Sequence, residues 1–366
     1  MTLFSLGWNS LLADAFVSHA AAGLVPARVS VQHKHAYELL APDGPMEAAC
    51  TGRLLHSTVD RSALPAVGDW VAVRRRPGET RADIHAVLPR RTRFSRRAAG
   101  EDFEQVVAAN VDTVLVVTAL DRDYNLRRLE RYLAVSRASG AAPVIVLNKA
   151  DLHPDPAAAG AEVAAIAPGT PVVIVSAAVD GAPEPATICP VASALAPWLV
   201  PGATLALLGS SGVGKSTLIN RLLGEDRQRT GGLSGTMGKG RHTTTRRELL
   251  LTPSGAIVID TPGMRELQIW DVAEEDVDQT FADIAALAAR CRFGDCAHRG
   301  EPGCAVQAAR EDGTLAESRW QSYQKLQREQ AYAARRADPE LERANQAKWK
   351  KLHRQLRARN RVKYGD

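Results

Sequence analysis

The spacing of apolar and polar positions changes character twice along the 366 residues. Up to about residue 100 the runs are short and alternating or apolar, at 27–31, 37–40, 46–55, 70–74 and 84–88. Turn signals divide them: Pro42-Asp43-Gly44-Pro45, residues 65–68, and Pro77-Gly78. About five short strands in some seventy residues predict a small closed β-barrel over 24–92, behind an N-terminal extension. The pattern suits a barrel of the OB type, and an SH3-like barrel would read nearly the same way.

From Asn110 the rhythm becomes that of an α/β domain. Residues 111–120 form a continuous apolar run, as a strand buried on both faces requires. Leu126, Leu129, Tyr132, Leu133 and Ser136 then share one helical face. A second strand at 144–147 leads into Asn148-Lys149-Ala150-Asp151, and a third at 172–175 into Ser176-Ala177-Ala178. Pro201-Gly202 resets the chain into the apolar run 205–208, and a glycine loop and a helix with Leu218, Ile219, Leu222 and Leu223 follow. Residues 228–244 are glycine-rich and polar and read as a mobile loop; residues 246–263 read as a hairpin ending in Asp260-Thr261-Pro262-Gly263. Alternating strands and helices predict a parallel, doubly wound sheet over 99–268, with ligands at the carboxyl ends of the strands. Beyond about Met264 the strand pattern stops. Residues 269–332 read as a helical domain containing a cysteine cluster, and 333–366 as a basic tail.

The loop between strand and helix is G-S-S-G-V-G-K-S-T, from Gly209 through Ser210, Ser211, Gly212, Val213, Gly214, Lys215 and Ser216 to Thr217. Glycines let successive N–H groups curl around one concavity at a helix N-terminus, where negative charge is favoured. Lys215 is placed to reach β- and γ-phosphates, and the Ser216 hydroxyl to ligate Mg²⁺. An ordinary glycine turn before a helix needs neither the Lys-Ser pair nor the preceding strand. Asn148-Lys149-Ala150-Asp151 supplies the other half of a nucleotide site. Asp151 can accept two hydrogen bonds from guanine N1–H and N2–H₂, an edge that adenine lacks. Asn148 can bridge the O6/N7 side of the base and the phosphate loop, the Lys149 stem can pack on the base, and a backbone N–H around Ser176-Ala177-Ala178 can meet O6. Asp260 ends its strand where a carboxylate would hold a Mg²⁺-bound water. Gly263 follows where an amide would meet the γ-phosphate, and Thr243, Thr244 and Thr245 lie where a switch threonine would ligate Mg²⁺. Any one of these segments could be a turn at a strand end; all of them, each after its own strand, define a guanine-nucleotide site.

In Ras-like GTPases the P-loop precedes the N-K-x-D segment, and here it follows it. The pattern is that of a circularly permuted GTPase, opened before the strand at 111–118, which is tolerated when the original termini are close. Downstream, Cys291-x₄-Cys296-x-His298-x₅-Cys304 puts three thiolates and one imidazole in a short loop rich in glycine. That set fills a tetrahedral Zn²⁺ site with no open position, hence a structural one. Cys50 and Cys189 stand alone and read as ordinary buried small residues.

Composition alters this picture little: 45% hydrophobic and 24% charged residues are ordinary for a globular protein. No stretch approaches the ~20 apolar residues of a membrane span. The N-terminus lacks a basic region and carries Asp14, against a signal peptide. Clustered cysteines beside a histidine suit a reducing compartment, the cytoplasm. Charge alters it more. From Glu317 onward 14 Lys/Arg face 6 Asp/Glu, a surplus of eight in a chain whose net charge is only +5. A basic end on a mildly acidic body points to a polyanionic partner or to a solvated helix. Residues 89–98 add five arginines around Phe94, which read either as an RNA contact or as a solvated linker.

An OB-type barrel, a permuted GTPase with G-S-S-G-V-G-K-S and G-R-H-T-T-T, and C-x₄-C-x-H-x₅-C together resemble the bacterial small-ribosomal-subunit-dependent GTPases of late 30S assembly. The resemblance runs from about Leu24 to Tyr332. It implies GTP hydrolysis to GDP and phosphate stimulated by the 30S subunit, one structural Zn²⁺, Mg²⁺ with the nucleotide, and monomeric action on 16S rRNA. It also suggests His242 as the group that orders the attacking water, because Met264 follows D-T-P-G where Ras-like enzymes carry a glutamine, and a thioether cannot orient water. Two rival readings stand beside it: an RNA-binding module with incidental GTP turnover, and a permuted GTPase serving another assembly client.

Overall fold

Strands β1 (Val25–Gln32), β2 (Tyr37–Ala41), β3 (Gly44–Cys50), β4 (Trp70–Arg75) and β5 (Arg81–Val87) close a barrel. The order is β1-β2-β3-β5-β4 and back to β1, antiparallel throughout except for the parallel β3–β5 pairing, an arrangement of the OB type. The computed structural model describes residues 1–34, 36–58, 60–97, 104–178, 190–224, 247–260 and 274–337. Two compact units, Met1–Gln268 and Ile269–Asp366, make up the chain.

Alternation explains the barrel. Along β4, Val71 and Val73 join Ala27, Val29, Leu39 and Ile84 in the interior. Trp70 and Ala72 face outward, yet they too are buried, because the N-terminal segment covers them. Helix α1 (Ser10–Ala21), capped by Asn9, lays Leu12 and Phe16 there, and Trp8 meets Trp70 edge-on with ring centroids 4.7 Å apart. The 46–55 run is not one strand. It breaks after Cys50, where Thr51 accepts the Leu54 N–H and caps the short helix α2 (Gly52–Ser57).

Arg93–Arg97 (β6) pairs with Glu104–Ala109 (β7) in a separate hairpin. Neither sequence reading of 89–98 describes this. Phe94 is only 1% exposed and has no face to offer a base, while Arg90 and Arg91 are held by Asp69 and Asp112.

The parallel sheet contains β8 (Thr113–Ala119), β9 (Ala142–Asn148), β10 (Val172–Ile174), β11 (Thr204–Leu208) and β13 (Ile257–Asp260), with β12 (Glu248–Leu251) antiparallel at its margin. Its order is β10-β9-β8-β11-β13-β12, and β12 pairs with β1 at Val31 and Glu248, joining sheet and barrel. Leu115, Val117, Val146, Leu205, Leu207 and Val258 pack with Leu218, Ile219 and Leu222 of the following helix. Burial on both faces is why these strands read as unbroken apolar runs. Helices α3 (Leu126–Ala138), α4 (Pro156–Ile166), α5 (Val191–Leu195) and α6 (Lys215–Leu223) connect the strands.

Where barrel and sheet meet lies Arg28, 1% exposed. Its guanidinium donates to the carbonyls of Leu6 (2.5 Å), Gly68 (3.2 Å) and Asn110 (3.3 Å) and to Thr204 Oγ1 (2.9 Å). Burial lowers its pKa to about 10, so it is still charged at neutral pH. Nearby, Asp69 is fully buried and takes two bonds from Arg90, at 2.8 and 2.7 Å; burial nonetheless raises its carboxyl above the ordinary range.

In the second unit, α7 (Glu274–Thr280), α8 (Ala282–Ala288), α9 (Ala305–Glu311) and α10 (Glu317–Ala337) gather Phe281, Ile284, Val306, Trp320 and Tyr323. Among the described residues, no helix is long and apolar enough to cross a membrane.

Candidate nucleotide site and metal centre

The P-loop follows β11, an interior parallel strand between β8 and β13, and two of its glycines are compelled by close approach. A Cβ on Gly209 would lie 2.3 Å from the Val117 carbonyl oxygen on neighbouring β8. At Gly214 a Cβ would lie 2.2 Å from Asn148 Nδ2, and the backbone there is left-handed at φ 95°. The loop therefore nests against β8 and against the segment after β9. Lys215 opens α6 and curls its ammonium back over the loop, donating to the carbonyls of Gly209 (2.7 Å) and Ser210 (2.5 Å). Ser216 and Thr217 occupy the first turn of α6, with Ser211, Gly212 and Val213 in the loop before it.

Asn148 is the keystone, at 2% exposure. Its Nδ2 donates to the Val213 carbonyl of the P-loop at 2.8 Å, and its Oδ1 accepts the Ala177 N–H at 3.0 Å. One carboxamide thus ties three segments far apart in sequence: that after β9, that after β10 and the P-loop. Lys149 adopts φ 58°, unusual for a residue with a side chain, and turns the chain so that Ala150 N–H reaches the Val175 carbonyl. Ser176 Oγ donates to Asp151 Oδ1, holding that carboxylate beside the Ser176-Ala177 backbone. Arg221 of α6 donates to the Ala177 carbonyl at 3.0 Å. Asp260 ends β13, whose neighbour is β11, so it emerges at the same edge. His242, Thr243, Thr244, Thr245, Gly263 and Met264 lie outside the described residues, as does Cys189.

Cys291, Cys296, His298 and Cys304 come together in the second unit with all four donor atoms within 4.8 Å of one another. Individual separations are 3.6 Å from Cys291 Sγ to His298 Nδ1, 3.4 Å from His298 Nδ1 to Cys304 Sγ, and 3.9 Å between the sulfurs of Cys291 and Cys304. A tetrahedron with metal–sulfur bonds of about 2.3 Å has edges of roughly 3.8 Å, so the donors are already spaced to close on one ion. Left-handed backbone at His298 and Gly303 folds the loop back onto itself. Cys304 also caps α9, accepting the Gln307 N–H, and Trp320 packs edge-on against the His298 ring. The lone Cys50 sits half-buried in the barrel and has no part in this cluster.

None of the motifs contains Arg28, Asp121 or Asp123. Arg28 sits inside a strand pattern and looks like any polar strand residue. The two aspartates offered one signal: they follow the β8 run at the same carboxyl end as every nucleotide motif.

A P-loop on an interior strand of a parallel sheet, preceded in the chain by the N-K-x-D and S-A-A segments it is bonded to, defines a circularly permuted GTPase. Residues 87–270 match the family model of the RsgA GTPase. A protein of Opitutus terrae named small ribosomal subunit biogenesis GTPase RsgA is 62% identical over 372 residues, covering 99% of each chain. Among solved structures, YjeQ from Thermotoga maritima aligns with a TM-score of 0.60 at 27% identity, over 83% of this chain and 97% of that one. YloQ, described as a circularly permuted GTPase, aligns with a TM-score of 0.56 at 23% identity over 83% and 93%, a likeness of fold. The chain belongs to the RsgA GTPase family and is a GTP hydrolase.

Proposed function

We propose that this protein acts in the late maturation of the small ribosomal subunit, binding the 30S particle and hydrolysing GTP when the particle stimulates it. The observation that carries the nucleotide half is Asn148, whose two hydrogen bonds hold a base-recognition loop and a phosphate loop in one frame. The client half is supported by the small-subunit name of a 62% identical relative, by the OB-type barrel and by the basic end of the chain.

In this reading Asp151 accepts from guanine N1–H and N2–H₂, the Ser176-Ala177 backbone meets O6, and the Lys149 stem covers one ring face. Backbone N–H groups from Gly209 to Thr217 cradle the phosphates, with the Lys215 ammonium turning from the loop carbonyls to the β- and γ-oxygens. Ser216, a threonine among 243–245 and a water on Asp260 would hold Mg²⁺, which supplies charge neutralisation at the phosphates. Gly263 N–H meets the γ-phosphate. His242 orients the water that attacks the γ-phosphorus in line, and GDP and phosphate leave. The Cys₃His set fits Zn²⁺ in donor chemistry and spacing, and its role is structural. The working unit is a monomer in the cytoplasm, with a barrel at 24–92, a GTPase domain at 99–268, a zinc domain at 269–332 and a basic tail at 333–366.

GTP turnover titrated with isolated 30S and 50S subunits, wild type beside Lys215→Ala, tests the proposal. Stimulation by 30S alone, abolished in the variant, is expected. No stimulation would leave an RNA-binding module, and stimulation by 50S would name another client. His242→Ala should keep GTP and subunit binding and lose the stimulated kcat; retention of full kcat would remove His242 from the mechanism.

A further inference from the structure

Between β8 and α3 runs a turn, residues 120–125, that belongs to none of the motifs yet touches both halves of the nucleotide site. Its entry is fixed by the Leu120 N–H, which donates to the Asn148 carbonyl at 2.8 Å. Asp121 then accepts twice: from the Asp123 N–H at 2.9 Å through Oδ1, and from Lys149 Nζ at 2.7 Å through Oδ2. Asp123 is held in turn by two bonds from Arg128, at 2.6 and 3.0 Å, and accepts the Ser210 hydroxyl of the P-loop at 2.9 Å.

Carboxylates beside a pocket for a polyanion repel it unless each is paired, and here each has its own cation. The Asp121–Lys149 pair is sheltered, its side chains 24% and 26% exposed. Burial pushes the Asp121 carboxyl up, but the bonds from Lys149 and the Asp123 N–H outweigh it and hold the group below the usual carboxylate range, so Asp121 is an anion at neutral pH. Lys149 leaves a backbone fixed at φ 58° and ends at a fixed carboxylate. With both ends tethered, its four-carbon stem has lost the rotamer freedom a surface lysine keeps.

We infer that Asp121 is a positioning residue for the purine base, holding the Lys149 stem as a preformed wall of the base slot. The inference rests on the guanine reading of residues 148–151. A wall touches a ring face, not a ring edge, so its contribution is blind to which purine edge is presented; edge selection belongs to Asp151. A pre-ordered wall strengthens binding without touching the phosphates, so Asp121 acts on affinity and not on the chemical step.

The test uses the full chain and fluorescent GDP and XDP analogues. Asp121→Asn is isosteric and keeps an acceptor for the Asp123 N–H while removing the charge. It should weaken GDP about fivefold, because the amide nitrogen that replaces Oδ2 cannot accept from the Lys149 ammonium and the stem loses its far tether, and leave kcat at saturating GTP unchanged. In an Asp151→Asn background, which should exchange GDP preference for XDP, the same change should weaken XDP by the same factor. Asp121→Asn should add nothing to Lys149→Met, yet still weaken GDP in Lys149→Arg, which keeps the cation. Unchanged GDP affinity in Asp121→Asn, or full multiplication of its effect with that of Lys149→Met, overturns the inference. If Asp151→Asn fails to swap base preference, the guanine reading of Asp151 falls. The coupling of Asp121 to Lys149 still decides this inference by itself.

Discussion

Replacing Asn148 by alanine removes a carboxamide that is 2% exposed and bonded at both ends. The change strips the Val213 carbonyl of its 2.8 Å partner and the Ala177 N–H of its 3.0 Å acceptor. Leaving a buried polar backbone group unmatched costs about 1–2 kcal/mol, so the pair amounts to roughly 2–4 kcal/mol. In a unit of this size each kcal/mol moves Tm by about 2–4 °C, giving an expected fall of about 5–15 °C by circular dichroism or calorimetry. Nucleotide affinity should fall with it, by at least an order of magnitude in a fluorescent-GDP titration, because two recognition loops lose their common anchor. Asn148→Asp sharpens the test. It keeps the acceptor for Ala177 but sets a carboxylate against the Val213 carbonyl, and at neutral pH it should be no more stable than Asn148→Ala. A cycle with Gly214 isolates the packing. Gly214→Ala in the wild type drives a Cβ to 2.2 Å from Asn148 Nδ2, whereas with Asn148→Ala already present only the left-handed strain of roughly 1–2 kcal/mol remains. A melting point within 2 °C of wild type and an unchanged affinity in Asn148→Ala would refute the keystone reasoning.

Three further outcomes are expected. Metal analysis of the purified chain should find one zinc per molecule, and a strong chelator should release it and unfold α9 in the second unit; Cys304→Ser should lose both the metal and the cap on Gln307, and full helicity in a metal-free sample would contradict this. Arg28→Met should destabilise the first unit by about 3–5 kcal/mol, because the carbonyls of Leu6, Gly68 and Asn110 cannot be mutated away with it; a Tm equal to wild type would show that water replaces the guanidinium. Asp121 has a folded pKa below its unfolded value, so its stabilisation is complete above about pH 4 and is lost as pH falls through the folded value. The Tm gap between wild type and Asp121→Asn should therefore be constant from pH 5 to 7 and close below pH 4; a gap that widens on acidification would reverse the sign of the argument.

The sequence by itself determined the strands of the parallel sheet, because burial on both faces leaves an apolar run with no polar interruption. It also determined the chemistry of the loops, since Gly209, Gly214, Lys215, Asn148 and the Cys₃His set are residue types that few other roles require in that order. Alternation alone marked the barrel strands but mistook 46–55 for one of them, since a Thr cap after a strand looks like more strand. The tertiary structure decided what depends on segments distant in the chain. It decided that β3 pairs parallel with β5, that β12 joins the barrel at β1, and that the N-terminal helix covers Trp70. It placed Phe94, which the chain offered as either an RNA contact or part of a linker, in the core on a strand paired with Glu104–Ala109. And it found Arg28, Asp121 and Asp123, whose partners lie up to 176 residues off. A hydrogen bond to a distant backbone leaves no periodicity and no spacing rule in the chain. Only folding brings its two ends into one place.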